Sequence, residues 1–194
     1  MNAIRKLARS FKRLPRVIMQ PGKYFSEEQE IWLDGIIVVF LLFIATLLQK
    51  LAWREIPGET PALGQAAVSA GLNTLMAWTG FFAIYYFIMV IAKKKTDLPD
   101  LLGAAGVAGL PVVILTFLSA VSWWVGALFG LDGVMQTWIV IQNIIAWVGL
   151  TLGWPGWMAY FIIRHKLGLP GRWPMILPII LLTGLFAAWM LTIL

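Results

Sequence analysis

LLGAAGVAGLPVVILTFLSAVSWWVGALFGLDGVMQTWIVIQNIIAWVGLTLGWPGWMAYFII, residues 101–163, holds a single charge, Asp132, in 63 residues. No water-soluble domain keeps a stretch of this length so free of charge, and about 20 apolar residues suffice to cross a bilayer. The stretch therefore reads as membrane-embedded, and the remaining question is how often it crosses. Gly130-Leu131-Asp132-Gly133 supplies a turn signature near its middle. Two long spans, 101–130 and 135–163, fit this turn, with Pro111 and Pro155 interrupting them.

Outward from this region, three further apolar stretches have the required length: 31–53, 66–92 and 173–194. Composition agrees. The chain has 194 residues, of which 60% are hydrophobic and 12% charged, whereas an ordinary soluble domain carries about 25% charged residues. The expected fold is all-α: a polytopic membrane protein with five transmembrane helices, spanning 31–194, preceded by a basic segment over 1–30. The absence of cysteine excludes disulfides, thiol nucleophiles and thiolate metal sites.

The distribution of Lys and Arg gives the orientation. Arg5, Lys6, Arg9, Lys12, Arg13, Arg16 and Lys23 precede the first span. Lys93, Lys94 and Lys95 follow the second, and Arg164, Lys166 and Arg172 follow the fourth. With five spans these segments share one side and hold 13 of the 15 basic residues; Lys50 and Arg54 fall on the other. The expectation is a multi-pass protein of the cell membrane with a cytoplasmic N-terminus and an extracytoplasmic C-terminus. Three short spans in 101–163 would break this agreement. No cleavable signal peptide is expected, because the basic region is not followed at once by a short apolar core. The first span then serves as the targeting element.

Residues 1–20 have helical periodicity. Ile4, Leu7, Phe11, Leu14 and Ile18 are spaced 3, 4, 3 and 4, which places them on one face. Arg5, Lys6, Arg9, Lys12, Arg13 and Arg16 occupy most of the rest, and Pro15 is expected to kink or end the helix. A basic amphipathic helix suits anionic lipid headgroups, each cation contributing about 1 kcal/mol near the surface. A docking arm for a protein partner and a passive topology signal are the other readings. Nucleic acid is not an expected partner, since Phe11 is the only aromatic available for stacking in the arm.

The search for chemistry finds no catalytic set. His165 is the only histidine, and its cationic neighbours Arg164 and Lys166 disfavour its charging. A rhomboid-like protease needs Ser and His together within the membrane, and no Gly-x-Ser-x-Gly elbow is present. The carboxylates cluster near span ends. Glu30 and Asp34, four residues apart, share a helical face from which they could meet Lys23 or the basic arm; solvation at the interface is the alternative. The protein is therefore expected not to be an enzyme and to need no cofactor or metal.

Uncharged polar residues do enter the spans, among them Asn73, Thr74, Thr116, Ser119, Ser122 and Thr151. Gln142 and Asn143 form the strongest pair and a candidate intramembrane polar site, with interhelical hydrogen bonding as the simpler role. The small residues Gly103, Ala104, Ala105, Gly106, Ala108 and Gly109 mark a surface for close backbone approach, within the chain or between two copies. Trp32, Trp53, Trp154, Trp157 and Trp173 fall at span ends, as an aromatic belt does, while Trp123 and Trp124 lie deeper.

A basic head followed by Gln20-Pro21-Gly22-Lys23-Tyr24-Phe25 before five spans resembles the Yip domain family of Ypt/Rab-interacting membrane proteins, in its prokaryotic form. Eukaryotic members carry Y-G-x-S-x-x-P at the third span. Here Ala105-Gly106-Val107-Ala108-Gly109-Leu110-Pro111 keeps Gly106 and Pro111 but replaces the tyrosine and the serine. Pro21 and Phe25 match the family's proline and aromatic before the first span. The D-L-Y-G-P motif is absent, Leu33-Asp34-Gly35 being at most a remnant, so the resemblance does not imply Rab binding. It implies a non-enzymatic membrane scaffold or accessory protein that binds other membrane proteins, an ABC-type exporter among the candidates, or a second copy of itself. The alternative is a small transporter, channel or lipid-handling protein using Gln142, Asn143 and the proline breaks.

Overall fold

Apolar sequence in a medium without water must satisfy its backbone internally, and helices do so residue by residue. The computed structural model describes residues 3–27, 31–52, 63–129, 154–177 and 179–180, and among them there is no strand. Helix α1 is Ala3–Met19 and α2 is Pro21–Glu27. Helices α3 (Trp32–Ala52) and α4 (Leu63–Ile91) follow. Helices α5 (Leu98–Ala108) and α6 (Leu110–Leu128) come next, then α7 (Trp154–Phe161), which passes into a π-helical turn over Ile162–Lys166.

Three stretches are long and apolar enough to cross a membrane: Trp32–Ala52, Leu63–Ile91 and Leu98–Gly126. The first lies within the expected 31–53. The second and third begin three residues before the expected 66 and 101. For the third, the cause is the first turn of α5. The expected span starts only after Asp100, but Pro99 suits the start of a helix, where its missing N–H is not needed. The expected spans 135–163 and 173–194 lie largely outside the described residues. Of them, 154–163 is helical, as are 173–177 and 179–180.

The expected interruption at Pro111 is present. Gly109 separates α5 from α6, and its N–H bonds the Gly106 carbonyl at 2.9 Å, a tightened turn. Pro111 has no N–H to offer the Val107 carbonyl, which is why the regular ladder stops here. Pro15, in contrast, neither ends nor delimits α1, which continues to Met19.

Helix α3 is central, packing on α4, α5 and α6. Its contact with α5 is backbone against backbone. A Cβ on Gly35 would collide with the Gly103 carbonyl oxygen. A Cβ on Gly103 would sit 2.5 Å from the Trp32 Cα, and one on Gly106 2.5 Å from the Gly35 carbonyl oxygen. The small-residue surface of 103–109 thus packs within the chain, on Gly35. One turn further the helices separate enough to leave an apolar void of about 20 Å³, lined by Val38, Leu42, Trp78, Phe81, Ala105 and Gly109. It has room for about one water but no polar partners to hold it.

The register makes α3 and the α5–α6 span parallel. Gly35 meets Gly103 and Gly106 near the start of both, and Gln49 Nε2 donates to Ser119 Oγ at 3.1 Å near the end of both. Helix α4 is the return stroke, tied in by Trp78 Nε1 donating to the Leu102 carbonyl at 3.1 Å. Double-mutant cycles across Gln49 and Ser119 should give a coupling of about 0.6 kcal/mol, the usual size for such bonds in membranes; thermal unfolding of Gln49→Leu, Ser119→Ala and the double variant measures it.

Candidate functional site

Among the described residues, the ion pairs that join separate elements gather at one end of the bundle, where α3 and α5 begin. Asp34 sits in the first turn of α3 and is fully buried. A buried carboxylate demands a counter-charge and donors. Arg13 of α1 supplies the first, its Nη2 donating to Oδ1 at 2.9 Å. Tyr24 of α2 supplies the second, its hydroxyl donating to Oδ2 at 2.6 Å. Arg13 Nη2 also donates to Ser10 Oγ at 3.5 Å.

Local sequence explains how these groups arrive. On α1 the face turned inward carries Ser10, Leu14 and Val17, all buried, with Arg13 beside them. Of the periodic face Ile4, Leu7, Phe11, Leu14 and Ile18, Leu14 and the half-buried Ile18 pack on the core, whereas Leu7 and Phe11 do not. Leu7 is 41% and Phe11 51% exposed. The helix is rotated so that Arg13 reaches Asp34. Proline at the start of α2 is well suited to that position. Pro21, Tyr24 and Phe25 are buried, the last two rings meeting edge to face at 5.1 Å.

A second knot joins α5 to the π-helical turn. Lys166 Nζ lies 3.8 Å from Asp100 Oδ2, Thr96 Oγ1 donates to the Lys166 carbonyl at 3.1 Å, and the Ile31 N–H donates to Asp100 Oδ1 at 3.5 Å. Helix α2 lies against α7, so close that a Cβ on Gly22 would be 3.0 Å from Phe161 Cε1. The segment before α3, the turn after α4 and the turn after α7 thus meet at one end.

On the outer side of the π turn, Arg164 hydrogen-bonds the Tyr160 hydroxyl and lies over its ring, and His165 stacks on Phe161 at 6.2 Å. Desolvation, and then the adjacent Arg164 guanidinium, hold the His165 pKa below the ordinary 6.5. The folded state therefore binds fewer protons there than the unfolded chain. Stability from this group is complete above about pH 6.5 and declines as pH falls toward the lowered folded pKa. As the only histidine, it gives one imidazole signal. NMR titration should place its midpoint below 6.5, and Arg164→Gln should raise it only part of the way, because desolvation is the larger cause.

Arg5, Lys6, Arg9, Lys12 and Arg16 are exposed on α1, whereas Arg13 is committed to Asp34. Pro21 and Phe25 are buried in α2, Gly106 is at the α3–α5 crossing and Pro111 is buried in the first turn of α6. Gln142 and Asn143 lie outside the described residues. The Arg13–Asp34–Tyr24 cluster was legible only in part: an aspartate in the first turn of an apolar span, with a basic arm upstream, was the available signal, and Tyr24 carried none. Comparison with family models, with curated proteins and with solved structures gives no match for this chain.

Proposed function

We propose that the protein is a non-enzymatic integral membrane scaffold or accessory protein of the cell membrane, with five spans, a cytoplasmic N-terminus and an extracytoplasmic C-terminus. The observation that carries this reading is the knitted end of the bundle. Arm, loop and turn, each bringing cations, are held there by buried and half-buried polar contacts instead of hanging as separate loops. A preformed end of this kind suits docking of other proteins or of lipid. Its basic character supports the cytoplasmic assignment through the positive-inside rule.

The membrane-embedded faces add support. In α4, Val68, Leu72, Leu75, Met76, Phe87, Val90 and Ile91 are exposed. They offer a broad apolar face to lipid or to the spans of another membrane protein. The resemblance to prokaryotic Yip-type proteins points the same way, an ABC-type exporter being one candidate partner.

The test is purification of the tagged protein from its native membrane in two mild detergents, with mass spectrometry and reciprocal tagging of whatever accompanies it. A stoichiometric membrane-protein partner recovered both ways is the expected result. Recovery alone in both detergents, together with solute flux above empty vesicles after reconstitution, overturns the scaffold reading in favour of transport.

A further inference from the structure

Helix α1 carries six Lys or Arg and no acidic residue. At about 100° per residue its surface divides into three sectors. The first, Ser10, Leu14 and Val17, faces the protein and is buried. The second is the stripe of Ile4, Leu7, Phe11 and Ile18, centred about 80° around the axis from the first; Ile18, at its end, is half-buried against the core, while Leu7 and Phe11 stand exposed. The third, Arg5, Arg9, Lys12 and Arg16, is exposed and centred about 140° from the apolar stripe.

The height of the helix is fixed independently. Arg13 is bonded to Asp34 in the first turn of α3, so α1 lies level with the very end of a membrane span. At that level an apolar side meets acyl chains and an opposing cationic side meets phosphates. A freely solvated arm has no need for an uncovered Phe11–Leu7 stripe opposite its cations.

We propose that α1 is an anionic-phospholipid binding element, clamped to the bundle by Arg13 and Asp34, with Leu7 and Phe11 inserted among the acyl chains and Arg5, Arg9, Lys12 and Arg16 on the headgroup phosphates. The pairing of Arg13 removes it from the lipid-binding set and makes it the anchor. This inference is independent of the scaffold reading: the arm binds lipid whether or not the spans bind a partner.

The chain contains no cysteine, so single cysteines introduced at Leu7, Phe11, Arg9 or Arg16 can each carry one nitroxide label on the full-length protein. The protein is placed in nanodiscs of phosphatidylcholine with or without phosphatidylglycerol, and accessibility to oxygen and to a neutral nickel chelate is read by EPR. With phosphatidylglycerol, labels at 7 and 11 should be reached by oxygen and shielded from nickel, and labels at 9 and 16 the reverse. Removing phosphatidylglycerol should raise nickel accessibility at position 11 several-fold. Combining Arg5→Gln, Arg9→Gln, Lys12→Gln and Arg16→Gln in the Phe11→Cys protein should abolish that dependence on lipid charge while the sample still elutes as a single species. Labels at 7 and 11 open to nickel in both discs overturn the proposal. So do labels shielded from both reagents, which would mean that protein, from a second copy or a partner, covers the stripe. Insertion that is indifferent to lipid charge overturns the anionic component.

Discussion

Gly35→Val should prevent the folded protein from forming, and Gly35→Ala should destabilise it by about 3 kcal/mol or more, at the upper end of what overpacking usually costs. The reason is what the new methyl would meet. At Gly35 it meets the carbonyl oxygen and Cα of Gly103, and at Gly106 the reciprocal substitution meets the Gly35 backbone. No flexible side chain is there to move aside, so relief requires α3 and α5 to separate along the crossing. That would also loosen Leu101, Ala104 and Ala105, which are almost completely buried beside it. Gly80→Ala on α4 is the control. A Cβ there meets nothing within 4 Å, and alanine favours a helix over glycine by about 1 kcal/mol. Its thermal midpoint in detergent should stay level or rise, while those of Gly35→Ala and Gly106→Ala fall.

Asp34→Ala carries the second largest expected loss, about 3–5 kcal/mol, because it breaks an ion pair at a largely buried site by removing the carboxylate to which the Arg13 guanidinium is bonded. Tyr24→Phe removes the hydroxyl's hydrogen bond to the carboxylate and should cost about 1.5–3 kcal/mol. The informative variant is the double replacement Arg13→Met with Asp34→Leu. Apolar groups of similar size often substitute for a buried ion pair with little loss. The double variant should therefore unfold well above Asp34→Ala. It should also retain the spans while the placement of α1 becomes less fixed, read by a label at Phe11. If the double variant is as unstable as the sum of the singles, the pair acts through something other than mutual neutralisation.

The elements that depend on local chemistry were legible. Apolar runs located the three spans within a few residues, Pro111 located the break in the third, and periodicity located α1. Contacts between distant segments were not. The stripe of Ile4, Leu7, Phe11, Leu14 and Ile18 is the best apolar face of α1, yet the helix packs through Ser10 and Val17 as well as Leu14. The buried carboxylate of Asp34 needs a cation, and the helix is turned so that Arg13 meets it while Leu7 and Phe11 stay exposed. The glycine-rich start of α5 was readable as a site of close approach, but nothing in the sequence tied it to Gly35. The helical continuation through Pro15 was likewise unreadable, because the cost of one lost bond is offset by the burial of Leu14 and Val17 in the core and by the bond from Arg13 to Asp34.

The two attachments of α3 also differ in when they can be made. Arg13 and Asp34 are 21 residues apart, whereas Gln49 and Ser119 are 70 apart, as are, nearly, Gly35 and its glycine partners. At about 5–20 residues per second the ribosome takes several seconds to close the second gap. During that interval the arm is already able to seat on Asp34, while the notch over Gly35 stands open in the bilayer beside a newly made α4. Any helix with small residues could fill it. The notch is thus a point of vulnerability in biogenesis.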